Sequence, residues 1–392
     1  MSTIHAPAHA DHVGLPVHYR RARRAAVALS LMAVLLGVAV WAVVNGSRPS
    51  SLVVPGLIVT EMGEVRTGHQ RADRVAFVGD GSILATLAPR YNYLTLDRVA
   101  MGQSLRVDRM AEVRLGGRPV AMAAAPDRLY VLQRPSGDAR HLEPAWWDTV
   151  GFDGSLTGPR VRVGFDPDDL ALSDDGATAF VLLSGSAEGE SNRPGPSLAV
   201  FDLAATADGP KIIAELPFDG NGDDPERMAL AGTRAAVALR GSNQVAWVDL
   251  SDRERPRLLA RVSLPGGEGP ASLQFDRSGR LIVSGGEDGH LWDLGAGPTA
   301  PPRLLGSGLT AWANVANAPT ARIGAIEDGS AIEIWTEDVA RGRLRLGGWG
   351  GVRPLDVAWR SDPDGDGTGL AAIGDRSGGV HLVRVERGST AR

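Results

Sequence analysis

GGEDGHLWDL, residues 285–294, packs Glu287, Asp288, His290 and the pair Trp292-Asp293 into ten residues. Taken alone it is either the edge of a catalytic or metal site or the end of one unit in a repeat. Spacing decides between the two. A β-like run that closes on an acid recurs at YLTLDR (Asp97), WWDTVGFDG (Asp153), LAVFDLA (Asp202), VAWVDLS (Asp249), HLWDLG (Asp293) and AIEIWTED (Glu337). HLVRVERG adds a weaker seventh at Glu386. The steps between these marks are roughly 44–56 residues, the signature of a repeat architecture.

Upstream of each acid lie two short apolar runs joined by a turn, most clearly in VAFVGDGSILATLA (75–88), LALSDDGATAFVLLSG (170–185) and LQFDRSGRLIVSGGEDG (273–289). Turns rich in Asp and Gly between such runs predict antiparallel hairpins. A fourth strand follows the acid, as in RVDRMAEVRL (106–115), RPRLLARVSL (255–264) and PPRLLGSG (301–308). Four short strands cannot bury two faces alone, so the units must stack on one another. A four-stranded unit of this length is the size of a propeller blade. The expected fold is therefore all-β: a seven-bladed β-propeller of four-stranded antiparallel blades over residues 69–388, with a short tail at 389–392.

Unit seven lacks a fourth strand, whereas SLVVPGLIVTEMGEVR (51–66) has strand character and no unit of its own. Residues 56–66 are expected to pair beside residues 379–386 and close the ring, within a linker and ring-closing segment at 46–68.

Residues 70–388 resemble β-propellers of the tryptophan–aspartate repeat type and the related bacterial YVTN-type repeats. LSDDGATAFVLL and PDRLYVLQ resemble the YVTN-type hairpin, and LWDL resembles the tryptophan–aspartate mark. No unit carries the full Gly-His…Trp-Asp set, so the likeness is to the broad class. It implies the fold and leaves activity open, because similar propellers include lactone hydrolases and other metal-dependent enzymes with a site at the channel mouth.

The N-terminal part reads differently. AAVALSLMAVLLGVAVWAVV (25–44) contains no charge, and twenty helical residues span about 30 Å, the thickness of a bilayer core. Arg20, Arg21, Arg23 and Arg24 precede it, which by the positive-inside rule puts a disordered tail (1–24) in the cytoplasm and everything past the anchor (25–45) outside. Cleavage after Val40-Trp41-Ala42 is the rival, disfavoured by the long leading segment. The expectation is a single-pass protein of a bacterial inner membrane, with the propeller periplasmic or extracellular.

The chain has no cysteine, which excludes disulfides, thiol nucleophiles and thiolate metal sites. Its formal net charge of −5 argues against a nucleic-acid partner. No nucleophile elbow, zinc-protease helix or phosphate loop is present. Asp362, Asp364 and Asp366 in DPDGDG match the first half of a calcium loop, but Ile373 stands where the bidentate glutamate belongs. A hairpin turn explains the motif without a metal. No cofactor is expected, a divalent metal entering only with the enzyme alternative.

In a propeller the residues just before each innermost strand meet at the channel rim. Here they include Asp166, Asp168 and Asp169, then Asp223, Asp224 and Glu226, then Trp312, Arg353 and Asp356. They predict an acidic arc flanked by arginines that could take a cation, a metal ion or a basic segment of a partner; solvated turn residues are the plainer alternative. The functional expectation is a membrane-tethered interaction or scaffolding module with envelope proteins as partners, more an adaptor than an enzyme. The alternative is a propeller enzyme, lactonase-like or another metal-dependent hydrolase, working at the channel mouth.

Overall fold

LALSDDGATAFVLLSG folds into strands Pro167–Leu172 and Thr178–Leu183 around its Asp/Gly turn, and Asp175 accepts the Ala177 N–H at 3.0 Å to hold that turn. The same unit is built seven times in a computed structural model of the chain. The model describes residues 50–69, 71–101, 104–136, 143–185, 195–204, 209–219, 222–267, 269–285, 289–314, 321–326, 331–347, 354–361 and 369–388. Six four-stranded sheets and one five-stranded sheet result. Blade 1 starts at Arg74–Val78, blade 2 at Arg118–Ala124, blade 3 at Pro167–Leu172 and blade 4 at Pro225–Ala231. Blades 5, 6 and 7 start at Pro270–Phe275, Leu309–Asn314 and Pro354–Ser361. These innermost strands adjoin in cyclic order, blade 7 returning to blade 1.

The second strands Ile83–Ala88 and Thr178–Leu183 are buried at every residue. Each is covered on both faces by neighbouring blades, which is why these strands are continuous apolar runs and not alternating ones. The blades meet through apolar clusters, one joining Leu87 and Leu94 of blade 1 to Leu129 and Val150 of blade 2. Trp147 lies between blades 2 and 3, edge-on to Phe201 at 4.8 Å. Strand alternation sends it there: Val150 faces blade 1, so Trp147, an odd number of residues away, faces the other side.

The recurring acid has a local cause. Asp202, Asp249 and Asp293 end their strands and accept the N–H two residues on, from Ala204, Ser251 and Gly295, at 2.8, 2.9 and 2.8 Å. This Asx turn redirects the chain into the outer strand. Asp153 caps Ser155 in the same way at 2.9 Å, two residues beyond the strand Ala145–Gly151. Asp97 differs, being buried inside the strand Tyr93–Met101 and paired with Arg109.

Ring closure follows the expected pairing. The strand Leu57–Arg66 lies antiparallel to Gly379–Arg387, in register from Leu57–Arg387 to Arg66–Gly379. An unexpected fifth strand, Ser51–Val54, adds outside it. Under the seam His381 is fully buried. Its Nδ1 lies 3.1 Å from Glu61 of the N-terminal strand, and its Nε2 lies 3.0 Å from Asp375. Burial alone would lower the His381 pKa, but hydrogen bonds and charge from Asp375 and Glu61 outweigh it and raise it to about 9.

That latch contributes stability fully below His381's ordinary pKa of 6.5, and the contribution is lost as pH rises through about 9. A shift of this size is worth on the order of 3 kcal/mol. His381→Gln is expected to lower the melting temperature at pH 7 by about 5 °C. It should also flatten the alkaline decline that the wild-type chain shows in thermal melts across this window. An unchanged alkaline slope in the variant would place the titration elsewhere.

Candidate binding site at the channel mouth

Five of the innermost strands carry a proline at their first or second residue: Pro119, Pro167, Pro225, Pro270 and Pro354. Proline lacks an N–H to donate and is tolerated at a strand start or a bulge. A bulge follows at the same place in blades 2 to 7, between Pro119 and Ala121, Pro167 and Asp169, Pro225 and Arg227, Pro270 and Ser272, Leu309 and Ala311, and Pro354 and Asp356. A bulge re-aims side chains, and here it does so at the rim of the channel.

The rim encloses a cavity of about 280 Å³. Blade 1 contributes Asp73 and Arg74, with Arg71 just before them, and blade 2 contributes Arg118, Val120 and Arg134. Asp168 comes from blade 3, Glu226 and Arg227 from blade 4, and Leu355 from blade 7. Arg134 ends the second strand of its blade, and the antiparallel hairpin returns it to the face where the first strand began.

The acids are already engaged. Arg71 Nε is 2.8 Å from Asp73, and Arg240 Nη1 is 2.6 Å from Glu226. Asp168 accepts from Arg134 and from the Ser184 hydroxyl. Burial pushes Asp168 up to about 6, against the pull of Arg134 and Ser184, with Asp224 and Glu226 adding repulsion. Beneath the cavity two aspartates stitch blades together: Asp169 accepts the Met228 N–H at 2.8 Å and Asp356 accepts the Val75 N–H at 3.0 Å. Arg74 Nη2 lies 3.5 Å from Asp169. Burial raises the pKa of both aspartates, and the Arg74 charge opposes that rise in each.

Of the residues expected at the rim, Asp168 and Glu226 line the cavity, and Asp224 acts on Asp168 through its charge. Asp223 is buried in an ion pair with Arg261 at 2.6 Å. Asp166 adopts a left-handed φ of 45° and its carbonyl accepts the Ser184 N–H at 3.0 Å. Trp312 is buried between blades with Leu309 and Trp335, its ring under Arg322, and does not reach the mouth. Arg353 and the calcium-like Asp362, Asp364 and Asp366 lie outside the described residues. Among the described residues no three His, Asp or Glu side chains converge to hold a metal ion. The sequence did not single out Arg71, Arg134 or Arg227: hairpin register places Arg134, the bulge places Arg227, and a left-handed turn (φ 68°) before the first strand places Arg71. Among the described residues no helix is long and apolar enough to cross a membrane; the run 25–44 falls outside them.

The topology defines a WD40-like seven-bladed β-propeller, and the comparisons agree. No protein-family model matches the chain, and no curated protein matches it. Among solved structures it is similar to the periplasmic gluconolactonase PpgL of Pseudomonas aeruginosa, with a TM-score of 0.57 and 16% identity over 76% of this chain and 97% of that one. It is similar to the WD40 β-propeller domain of Doa1, with a TM-score of 0.58 and 12% identity over 83% of this chain and 96% of that one. Kuenenia stuttgartiensis hydrazine synthase gives a TM-score of 0.58 and 14% identity, covering 83% and 97%. Identities this low carry the fold alone.

Proposed function

We propose that the chain is a membrane-tethered interaction module of the bacterial cell envelope, holding its propeller outside the cytoplasm and taking partner proteins at the channel mouth. One observation carries the reading. The mouth is assembled from strand starts of several blades, and its acids are held by arginines instead of being free to gather round a metal ion. A rigid, pre-formed polar recess suits recognition. The tether rests on the uncharged run 25–44 and the arginines before it.

Asp168 favours a second reading. A carboxyl with a pKa near 6 can move a proton at neutral pH, as a hydrolase at the channel mouth would require. The likeness to a gluconolactonase makes lactones the substrates to try. One experiment separates the two, helped by the absence of native cysteine. A photo-reactive cross-linker on Leu355→Cys is expected to capture an envelope protein in intact cells, and the same label on Leu258→Cys at the outer edge is not. Under this reading the purified chain leaves gluconolactone intact; turnover that disappears in Asp168→Asn would establish the hydrolase instead.

A further inference from the structure

We infer that the channel mouth is a carboxylate receptor, in which Arg118 and Arg227, backed by Arg74 and Arg134, hold acidic side chains of a polypeptide partner. The inference rests on the reading of the mouth as a partner site and names what enters it.

Charge pairing at the cavity supplies the first argument. Five arginines and three acids line it. Asp73 is taken by Arg71, Asp168 by Arg134, and Glu226 by Arg240, which is not part of the lining. Arg118 and Arg227 are left without an ion pair among the described residues. A guanidinium presents five N–H donors in a planar fork that matches a carboxylate. A basic segment would have to displace these pairs and would meet the surplus arginines at close range. An acidic one meets donors already in place.

Size supplies the second. A cavity of about 280 Å³ is at the small end for ligand sites, with room for a few side-chain carboxylates and not for a folded element. Asp168 supplies the third. It faces Arg134, Ser184, Asp224 and Glu226, and Asp73, Arg71, Arg74, Arg118 and Arg227 share its cavity. When Asp168 takes up a proton near pH 6, the recess loses one negative charge and gains an O–H donor. Affinity for a carboxylate therefore rises as pH falls through that value.

The test is calorimetric titration of the full chain in lipid nanodiscs with hexaglutamate, hexalysine, glutarate and inorganic phosphate. Hexaglutamate is expected to bind, more tightly at pH 5.5 than at pH 7.5. Arg118→Ala and Arg227→Ala should each weaken it about tenfold, the loss of a charge-assisted contact, with Arg118→Lys recovering part of the loss and thermal melts unchanged. Asp168→Asn should remove the pH dependence. Unchanged affinity in both arginine variants, or tighter binding of hexalysine or phosphate, overturns the carboxylate assignment. Glutarate binding as tightly as hexaglutamate overturns the polypeptide source. If hexaglutamate fails while the Leu355→Cys cross-link still captures a partner, the carboxylate inference falls alone; if both fail, the reading of the mouth falls with it.

Discussion

Ending the chain after Asp375 is expected to abolish the cooperative unfolding transition, not to shift it by a few degrees. The deletion removes Gly379–Arg387, which lies between Leu57–Arg66 on one side and Gly369–Asp375 on the other. Val380, Leu382, Val383 and Val385 are fully buried, and Leu57, Val59 and Val65 opposite are nearly so. Burying one such side chain stabilises by roughly 1.5–3 kcal/mol. Seven of them together match the whole stability of an ordinary domain, about 5–15 kcal/mol. His381 leaves with the strand, so Glu61 and Asp375 lose their shared partner. Circular dichroism melts of the shortened chain check this. A sharp transition near the wild-type temperature would mean that the ring holds without its seam.

The second large effect is expected at the junction of blades 5 and 6. Asp338 follows the strand Ala331–Thr336 and accepts from Arg322 at 2.7 Å, Arg303 at 3.0 Å and Arg280 at 3.1 Å. Arg280 and Arg303 also hold Asp293, the acid of the tryptophan–aspartate pair. Arg322 is only 1% exposed. Removing one partner from a buried ion network leaves an uncompensated charge and costs about 3–5 kcal/mol. Asp338→Asn is the informative variant, because φ at this position is 60° and asparagine tolerates the left-handed region. The loss then reports charge and not backbone strain.

A fall in melting temperature of about 5–8 °C is expected at pH 7. Arg303→Ala, on a side chain that is 58% exposed, should cost less than about 1 kcal/mol. Burial would raise the Asp338 pKa, but hydrogen bonds from Arg322 and Arg280 and the nearby guanidinium charges hold it at about 2. Its contribution is present above its ordinary value of 3.8 and is lost as pH falls through about 2. Melting temperatures for the two variants that move together would contradict this division of roles.

What the sequence revealed divides along the range of the interactions. The blades were legible because their signals are local: an Asx turn at Asp202, Asp249 and Asp293 needs only the next two residues. The seam was legible because one unit lacked a strand and one strand lacked a unit. The neighbour of Trp147 was not legible, because its environment depends on strand alternation relative to a residue some fifty positions away. Asp97 was legible in position and not in role, since its neighbour Arg109 lies across a bulge between Leu96 and Asp97. At the mouth the acids stood out because they cluster at strand starts, whereas the arginines that engage them come from the ends of second strands, as with Arg134 and Arg240, or from the turn before the first, as with Arg71. Arg134 is the clearest case, sixteen residues beyond the start of its blade yet back at the same face. The charge balance at the mouth is a product of tertiary structure, and the one-dimensional pattern shows only half of it.

The seam also sets an order of events. Leu57 must wait for Arg387, so the first strand of the ring to be made is among the last to be paired. Pairings of such long sequence separation are slow. Until then blade 7 presents an open sheet edge, the kind of surface on which incompletely folded chains associate. Yield on refolding is therefore expected to depend on protein concentration more than the melting temperature does. A mutation that merely delays the seam would cost the cell folded molecules without weakening those that succeed.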